Sequence, residues 1–391
     1  MTHLSGSVPK GEGIIPYFNN LEIWKEGEYK TGIALRQRKQ MKTLFDTVKV
    51  GALTLPNRIV MAPLTRSRAG AERIPNEMMR EYYVQRSHAG LILSEATAVS
   101  PMGVGYADTP GIWSDAQVEG WKNVTEGVHA AGGRIFLQLW HVGRISDPSF
   151  LNGELPLAPS AVQPAGHVSL LRPHRPFVTP RALETHEVKE VVEQFRKGAE
   201  NAKRAGFDGV EIHGANGYLP DQFLQSKTNQ RTDEYGGSVE NRARFMLEIA
   251  DAAIGVWGAD RVGVHLAPRG DSHDIGDANP KETFGYLVRE LGKRGIAFIF
   301  LREKQGDGYL TPYLKEQFGG IVIANEGLDV SKSEELVQRG SADLISFGRL
   351  YISNPDLVFR LKDKLPLTPP DATTFYAPGP KGYVDYPVYR A

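Results

Sequence analysis

From residue 57 onward the chain alternates short, mainly apolar runs with longer stretches of helical period. The runs are residues 57–63 (NRIVMAP), 91–95 (LILSE), 134–139 (RIFLQL), the stretch opening at Gly209 (GVEIH), 261–266 (RVGVHL), 297–301 (AFIFL), 321–324 (IVIA) and 344–347 (LISF). They lack the in-and-out alternation of a half-solvated strand, so each predicts a short strand buried on both faces. Residues 77–87, 115–131, 187–205 and 239–257 predict connecting helices. Asp115 and Glu119 fall in the first turn of the second of these, where the positive end of the helix dipole favours carboxylates.

Eight strands alternating with helices predict an α/β fold of the (β/α)8 TIM-barrel type. A doubly wound sheet would want a Gly-x-Gly-x-x-Gly turn after an early strand, and none is present. One excursion breaks the rhythm after the third strand. Residues 146–181 hold seven prolines and no helical period, which predicts an ordered cap over the barrel mouth. A second long loop, 214–238, ends in NQRTDEYGGS and is expected to pack beside the same mouth.

Composition narrows the chemistry. Lys plus Arg and Asp plus Glu number 46 each in 391 residues, and no dense basic run appears, which argues against nucleic acid or an acidic membrane as partner. A small, weakly charged substrate is expected instead. The absence of cysteine excludes disulfides, thiolate metal sites and a cysteine nucleophile. No apolar run approaches the roughly 20 residues a membrane helix needs. Residues 1–40 carry scattered charges and no sustained period, so they read as an appendage (an upstream start, a tag or a tail) preceding a folded domain over 41–391. The expectation is a cytoplasmic protein, monomeric or homodimeric.

On a barrel the chemistry belongs at the carboxyl ends of the strands. Those ends carry Ala62, Pro63, Leu64 and Thr65; Ala96; Gln138 and Trp140; His213, Asn216 and Tyr218; His265; Asn325; and Gly348 with Arg349. Few are acids. Amides, hydroxyls and imidazoles suit a large polar heterocycle better than hydrolysis, with Gln138 for a donor-acceptor edge and Thr65 for a ring carbonyl. Gly348-Arg349 after the last strand suits a phosphate, which the glycine admits and the guanidinium grips. His213 and Asn216 can donate to one substrate oxygen, and Tyr218 can release a proton. The rival use of His141, His213 and His265 is as zinc ligands in a metal-dependent hydrolase or lyase, although no carboxylate joins them.

These pieces resemble the Old Yellow Enzyme family of flavin-dependent ene-reductases, most closely the bacterial xenobiotic and N-ethylmaleimide reductases. The resemblance rests on NRIVMAPLTR (57–66), QLWHVGR (138–144), HGANGY (213–218), NQRTDEYGGS (229–238), FGR (347–349) and GYVDYP (382–387). It implies noncovalent FMN, with Ala62, Pro63, Leu64, Thr65 and Ala96 lining the isoalloxazine, Thr65 and Gln138 bonding its polar edges, and Asn325, Gly348 and Arg349 holding the phosphate. It also implies a pocket shaped by Tyr106, Trp140 and Tyr376, with His213 and Asn216 gripping the substrate oxygen and Tyr218 protonating carbon. NAD(P)H would reload the flavin, and activated C=C bonds, with nitro compounds and nitrate esters, would be the acceptors. A flavin-binding protein without turnover is the other alternative. Two residues depart from the family pattern. His265 stands where many relatives carry an arginine near flavin N1 and O2, which makes flavin reduction expected to respond to pH, and Asn325-Glu326 stands where glycines often follow the seventh strand.

Overall fold

Eight parallel strands close on themselves in the computed structural model, which describes residues 41–389; the appendage expected over residues 1–40 lies outside them. The strands are β1 (Ile59–Met61), β2 (Leu91–Leu93), β3 (Ile135–Trp140), β4 (Gly209–Gly214), β5 (Val262–Leu266), β6 (Phe298–Arg302), β7 (Val322–Asn325) and β8 (Leu344–Phe347). Each pairs with the next, β8 returns to β1, and the closing ladder sets Ile92 opposite Ile135 and Leu93 opposite Phe136. This is the (β/α)8 barrel that the apolar runs predict.

Between strands lie α1 (Glu77–Val84), α2 (Asp115–Ala130), α3 (Thr185–Arg204), α4 (Val239–Trp257), α5 (Pro280–Arg294), α6 (Thr311–Phe318), α7 (Val330–Arg339) and α8 (Leu357–Lys362). Their ends are set by local chemistry. A Ser114–Gln117 capping box starts α2, Asn76 and Ser238 cap α1 and α4, and Gly295, Gly319 and Gly340 close α5, α6 and α7 in the left-handed conformation. Along α3, Val188, Val191, Phe195, Ala199 and Ala202 are buried at the spacing of one helix face, which packs on the barrel wall.

The amino end of the barrel is plugged by an antiparallel hairpin, Val48–Val50 with Leu53–Leu55, that the sequence pattern did not single out. Its apolar residues join the inward-facing Leu91, Phe136, Phe298 and Ile323 in one cluster. The opposite end is covered by the excursion. A two-residue parallel pair, Leu157–Ala158 with Arg181–Ala182, ties its ends together, and Val168 and Phe177 pack against Tyr106, Trp140 and Ile145. The excursion is therefore a cap on the mouth, as expected. The second loop contains one short helix, Leu219–Leu224, directly after Tyr218.

Candidate active site

Strand β4 delivers the HGANGY segment because its first residue is glycine: a Cβ on Gly209 would stand 2.4 Å from Phe136 and 2.5 Å from the Arg261 carbonyl. The register then places His213 beside His265 on β5, and their rings stack 5.1 Å apart, nearly parallel. Gln138 on β3 lies opposite Glu211 on β4. Its Nε2 donates to Glu211 Oε2 at 2.8 Å and lies 3.1 Å from His265 Nδ1, leaving the amide oxygen outside this network.

All of these groups are buried, and burial fixes their charge. It pushes the His213 imidazole down to about 3, helped by the positive charge of Arg302 and by His273. His265 falls well below the ordinary imidazole range for the same first reason, with His213 and Arg302 adding to it. Both rings are neutral at physiological pH, which corrects the expectation that His265 would titrate there. Glu211 is pushed up to about 8 because burial outweighs its hydrogen bond from Gln138. Nδ1 of His213 has no hydrogen-bond partner among the described residues, and neither does Nε2 of His265.

The next turn carries Asn216 and Tyr218. Asn216 adopts φ +59°, a left-handed conformation that asparagine tolerates better than most residues. Its carbonyl accepts from His273 Nδ1 at 2.7 Å, and its Oδ1 accepts from Arg302 Nη1 at 2.7 Å. The Tyr218 hydroxyl lies 3.0 Å from that of Tyr106, whose own hydroxyl is 3.4 Å from His273 Nε2. Burial, followed by the neighbouring Tyr106, raises Tyr218 well above its ordinary value, so it is protonated throughout the physiological range. Trp140 stacks on Tyr106 at 5.5 Å and meets Tyr218 edge-on at 5.1 Å, giving the pocket a flat aromatic wall.

Around this wall the remaining expected residues take different positions. Ala62 and Ala96 are buried, whereas Pro63, Leu64 and Thr65 are half-buried at the mouth. Gly348 leaves open a space beside Leu64 that a Cβ, 3.3 Å from Leu64 Cδ2, would fill. Arg349 is exposed at the start of a short helix, and among the described residues no carboxylate pairs with it. Asn325 ends β7 with its Nδ2 donating to the Ser346 carbonyl at 2.9 Å, so that amide hydrogen is already engaged. Tyr376 is about half exposed (48 %) and forms the outer rim.

For FMN the fit is good on the structure's own terms. Two buried ring nitrogens with no partner among the described residues, His213 Nδ1 and His265 Nε2, border the mouth; Gly348 opens a cradle, and Arg349 beside it pairs with no carboxylate among the described residues. The metal alternative fits poorly. His213 and His265 stand face to face rather than aimed at one point, and the Nδ1 of His141 is occupied by the Gly143 N–H. Among the described residues no group of three or more His, Cys, Asp or Glu is placed to hold a metal ion.

Three neighbours escaped the sequence reading. Arg302 was missed because the sixth strand reads as ending at Leu301, one residue short of it. Glu211 sat unremarked inside GVEIH, although a carboxylate in an otherwise apolar buried run is a signal in itself. His273 lies in the loop after β5, with nothing in its sequence context to mark it.

A barrel whose mouth gathers neutral imidazoles, a protonated tyrosine and an open cradle at Gly348 beside an exposed arginine fits a flavin-binding oxidoreductase. The chain belongs to the NADH:flavin oxidoreductase / NADH oxidase family, whose model matches residues 43–368, and within it to the Old Yellow Enzyme group, with FMN as cofactor and nicotinamide as reductant. It is 43 % identical to the old yellow enzyme homologue from Zymomonas mobilis, with a TM-score of 0.86 over 88 % of this chain and 99 % of that one. Morphinone reductase in complex with tetrahydroNAD gives 46 % identity and a TM-score of 0.86 over 89 % and 98 %. A Leishmania infantum protein named "Probable flavin mononucleotide-dependent alkene reductase" is 39 % identical over 361 residues, 89 % of this chain and 98 % of that protein.

Proposed function

We propose that this site reduces activated C=C bonds, with His213 and Asn216 holding the electron-withdrawing oxygen of the substrate and Tyr218 giving the proton. The observation that carries the reading is the free N–H capacity of His213 next to the protonated Tyr218 hydroxyl, ring centroids 4.9 Å apart, in a pocket walled by Trp140 and Tyr106. Thr65, Gln138 and His265 would bond the polar edge of FMN, Ala62, Pro63, Leu64 and Ala96 would lie against its ring, and Asn325, Gly348 and Arg349 would hold its phosphate. Bound FMN supplies hydride that it has received from NAD(P)H.

As negative charge builds on the substrate oxygen, neutral donors fixed in a water-poor pocket stabilise it more in the transition state than in the ground state. A neutral His213 can fill this role because its imidazole still carries one ring N–H to donate. Tyr218 then transfers its proton to carbon, and the Tyr106 hydroxyl at 3.0 Å can donate to the tyrosinate left behind. Tyr376 on the rim and the cap over the mouth would select substrates by shape. Nitro compounds and nitrate esters are further acceptors in this reading, NADH and NADPH both remain candidate reductants, and the setting is the cytoplasm, as monomer or homodimer.

The test is anaerobic titration of the purified flavoprotein with NADH and NADPH, followed by an enone. The expected result is loss of the visible flavin band and its recovery on adding the enone. Flavin that neither nicotinamide bleaches would favour the non-catalytic alternative. His213→Ala combined with Asn216→Ala should slow enone reduction by several kcal/mol, on the order of what lost oxyanion donors cost, while FMN stays bound.

A further inference from the structure

We infer that Arg302, paired with Glu326, is a positioning residue for the enone half-reaction: it holds Asn216 Oδ1 so that the amide N–H of Asn216 faces the substrate oxygen. The inference rests on the reading of Asn216 as a substrate donor and extends it to a residue to which no role has been given above.

The argument is one of donors and acceptors. An asparagine amide can sit in either of two orientations, and only one turns its N–H groups toward the pocket. Arg302 Nη1 stands 2.7 Å from the oxygen side of Asn216. A guanidinium has only donors, so the flipped amide would bring N–H against N–H at that distance. Arg302 thus selects the orientation with Oδ1 inward to itself. Nδ2 is left without a hydrogen bond among the described residues.

Arg302 is fixed in turn. Its Nε is 2.9 Å from Glu326 Oε2, and Nη2 donates to Glu326 Oε1 at 3.3 Å, a two-point pairing that sets the plane of the guanidinium. Glu326 has φ +87°, which side-chain-bearing residues rarely adopt, so this contact is kept in spite of local strain. The main chain of Asn216 is pinned separately through His273, which leaves the amide orientation as what Arg302 controls. Arg302 is also the cation whose charge reaches His213, His265, His273 and Tyr218.

The test is a double-mutant cycle on the FMN-loaded enzyme, using Arg302→Met with Glu326→Gln, so that no charge is left unpaired, against Asn216→Ala. Turnover with cyclohexenone should fall about tenfold or more in each arm, and the Arg302/Glu326 change should add little on top of Asn216→Ala, because residues acting through one contact are not additive. Flavin content should stay close to the parent in all variants. The second readout is the infrared carbonyl stretch of bound cyclohexanone, which should move toward its free value in the Arg302/Glu326 variant and not move further when Asn216 is also removed. Arg302→Lys, which keeps a donor but not the fork, should recover part of both signals. Additive losses, or an unshifted carbonyl band, would overturn the inference while an effect of Asn216→Ala alone left the site reading standing. An inert Asn216→Ala would overturn both.

Discussion

The amide nitrogen of Gln138 lies 3.1 Å from Nδ1 of His265. Since that nitrogen can only donate, Nδ1 of His265 accepts, and the ring proton sits on Nε2, the buried nitrogen with no partner among the described residues. In the proposed site His265 would thereby offer FMN a neutral donor in a place where the family resemblance implies a cation. With nitrogen-15 labelled histidine, the expected spectrum is a single neutral tautomer, protonated at Nε2 and unchanged from about pH 5 to 9, a window around the ordinary imidazole value. Flavin reduction should show no inflection from this ring in that window. His265→Leu should weaken FMN by about 1 kcal/mol, the worth of one neutral hydrogen bond. Protonation of His265 within the window would disprove the assignment.

Glu211 makes a prediction of stability. A carboxyl group whose pKa rises on folding keeps its proton longer in the native state, and Glu211 is pushed up to about 8 by burial. Between the ordinary carboxylate range and about 8, the native protein binds more protons than the unfolded chain, so stability falls as pH rises through that window. Glu211→Gln keeps an acceptor for Gln138 and removes the titration. It should be more stable than the parent by on the order of a few kcal/mol above pH 8, with the gain vanishing at low pH. Glu95 and Asp221, both buried and pushed up to about 7, act in the same direction and leave a residual slope in the variant. Denaturant midpoints at several pH values would check this; a gain that did not shrink on acidification would point to packing instead.

The barrel was legible in the sequence because a parallel strand buried on both faces has to be mainly apolar, and all eight runs are, with their few polar residues, such as Glu211 and His265, standing out. The ends of the site followed from that count, so His213, Gln138, Trp140 and Gly348 could be placed at the mouth before any coordinates. The hairpin at Val48–Val50 escaped because a two-stranded plug of three-residue strands has too few positions to show a period. Arg302 and His273 escaped for a different reason. Their roles depend on contacts to Asn216 across 86 and 57 residues of chain, and no local pattern encodes such partners. The charge of His265 was beyond reach too, since it depends on burial beside His213 and Arg302.

Tyr218 should matter for one class of acceptor and not another. Its hydroxyl bonds Tyr106 at 3.0 Å and stays protonated, so its proposed service is a proton to carbon. Alkene reduction needs that proton, whereas release of nitrite from a nitrate ester needs none at carbon. Tyr218→Phe should slow enone reduction by about 10²-fold, the lower range for a lost general acid, and leave nitrate-ester turnover within a few fold. Tyr106→Phe should give a smaller loss on the enone alone. Equal losses on both acceptors, measured by stopped-flow reoxidation of the reduced enzyme, would remove Tyr218 from the role of acid.

Arg349 separates phosphate recognition from ring recognition. It is exposed, follows the cradle at Gly348 and has no carboxylate partner among the described residues, so its charge is free for a dianion. A charge-assisted contact of this kind is worth about 1.5–3 kcal/mol. Arg349→Ala should therefore weaken FMN by roughly 10- to 150-fold, that energy expressed as a ratio of dissociation constants. Riboflavin carries the same ring without the phosphate, and its affinity should hardly change. The parent should prefer FMN over riboflavin by a wide margin, and the variant should lose most of that margin because the proposed ring contacts through Gln138, Thr65 and His265 would be untouched. Fluorescence titration of the flavin-free protein with both ligands measures the two constants directly. If Arg349→Ala weakened riboflavin as much as FMN, the arginine would be supporting the mouth of the barrel rather than binding phosphate, and the phosphate site would have to be sought elsewhere around β7 and β8.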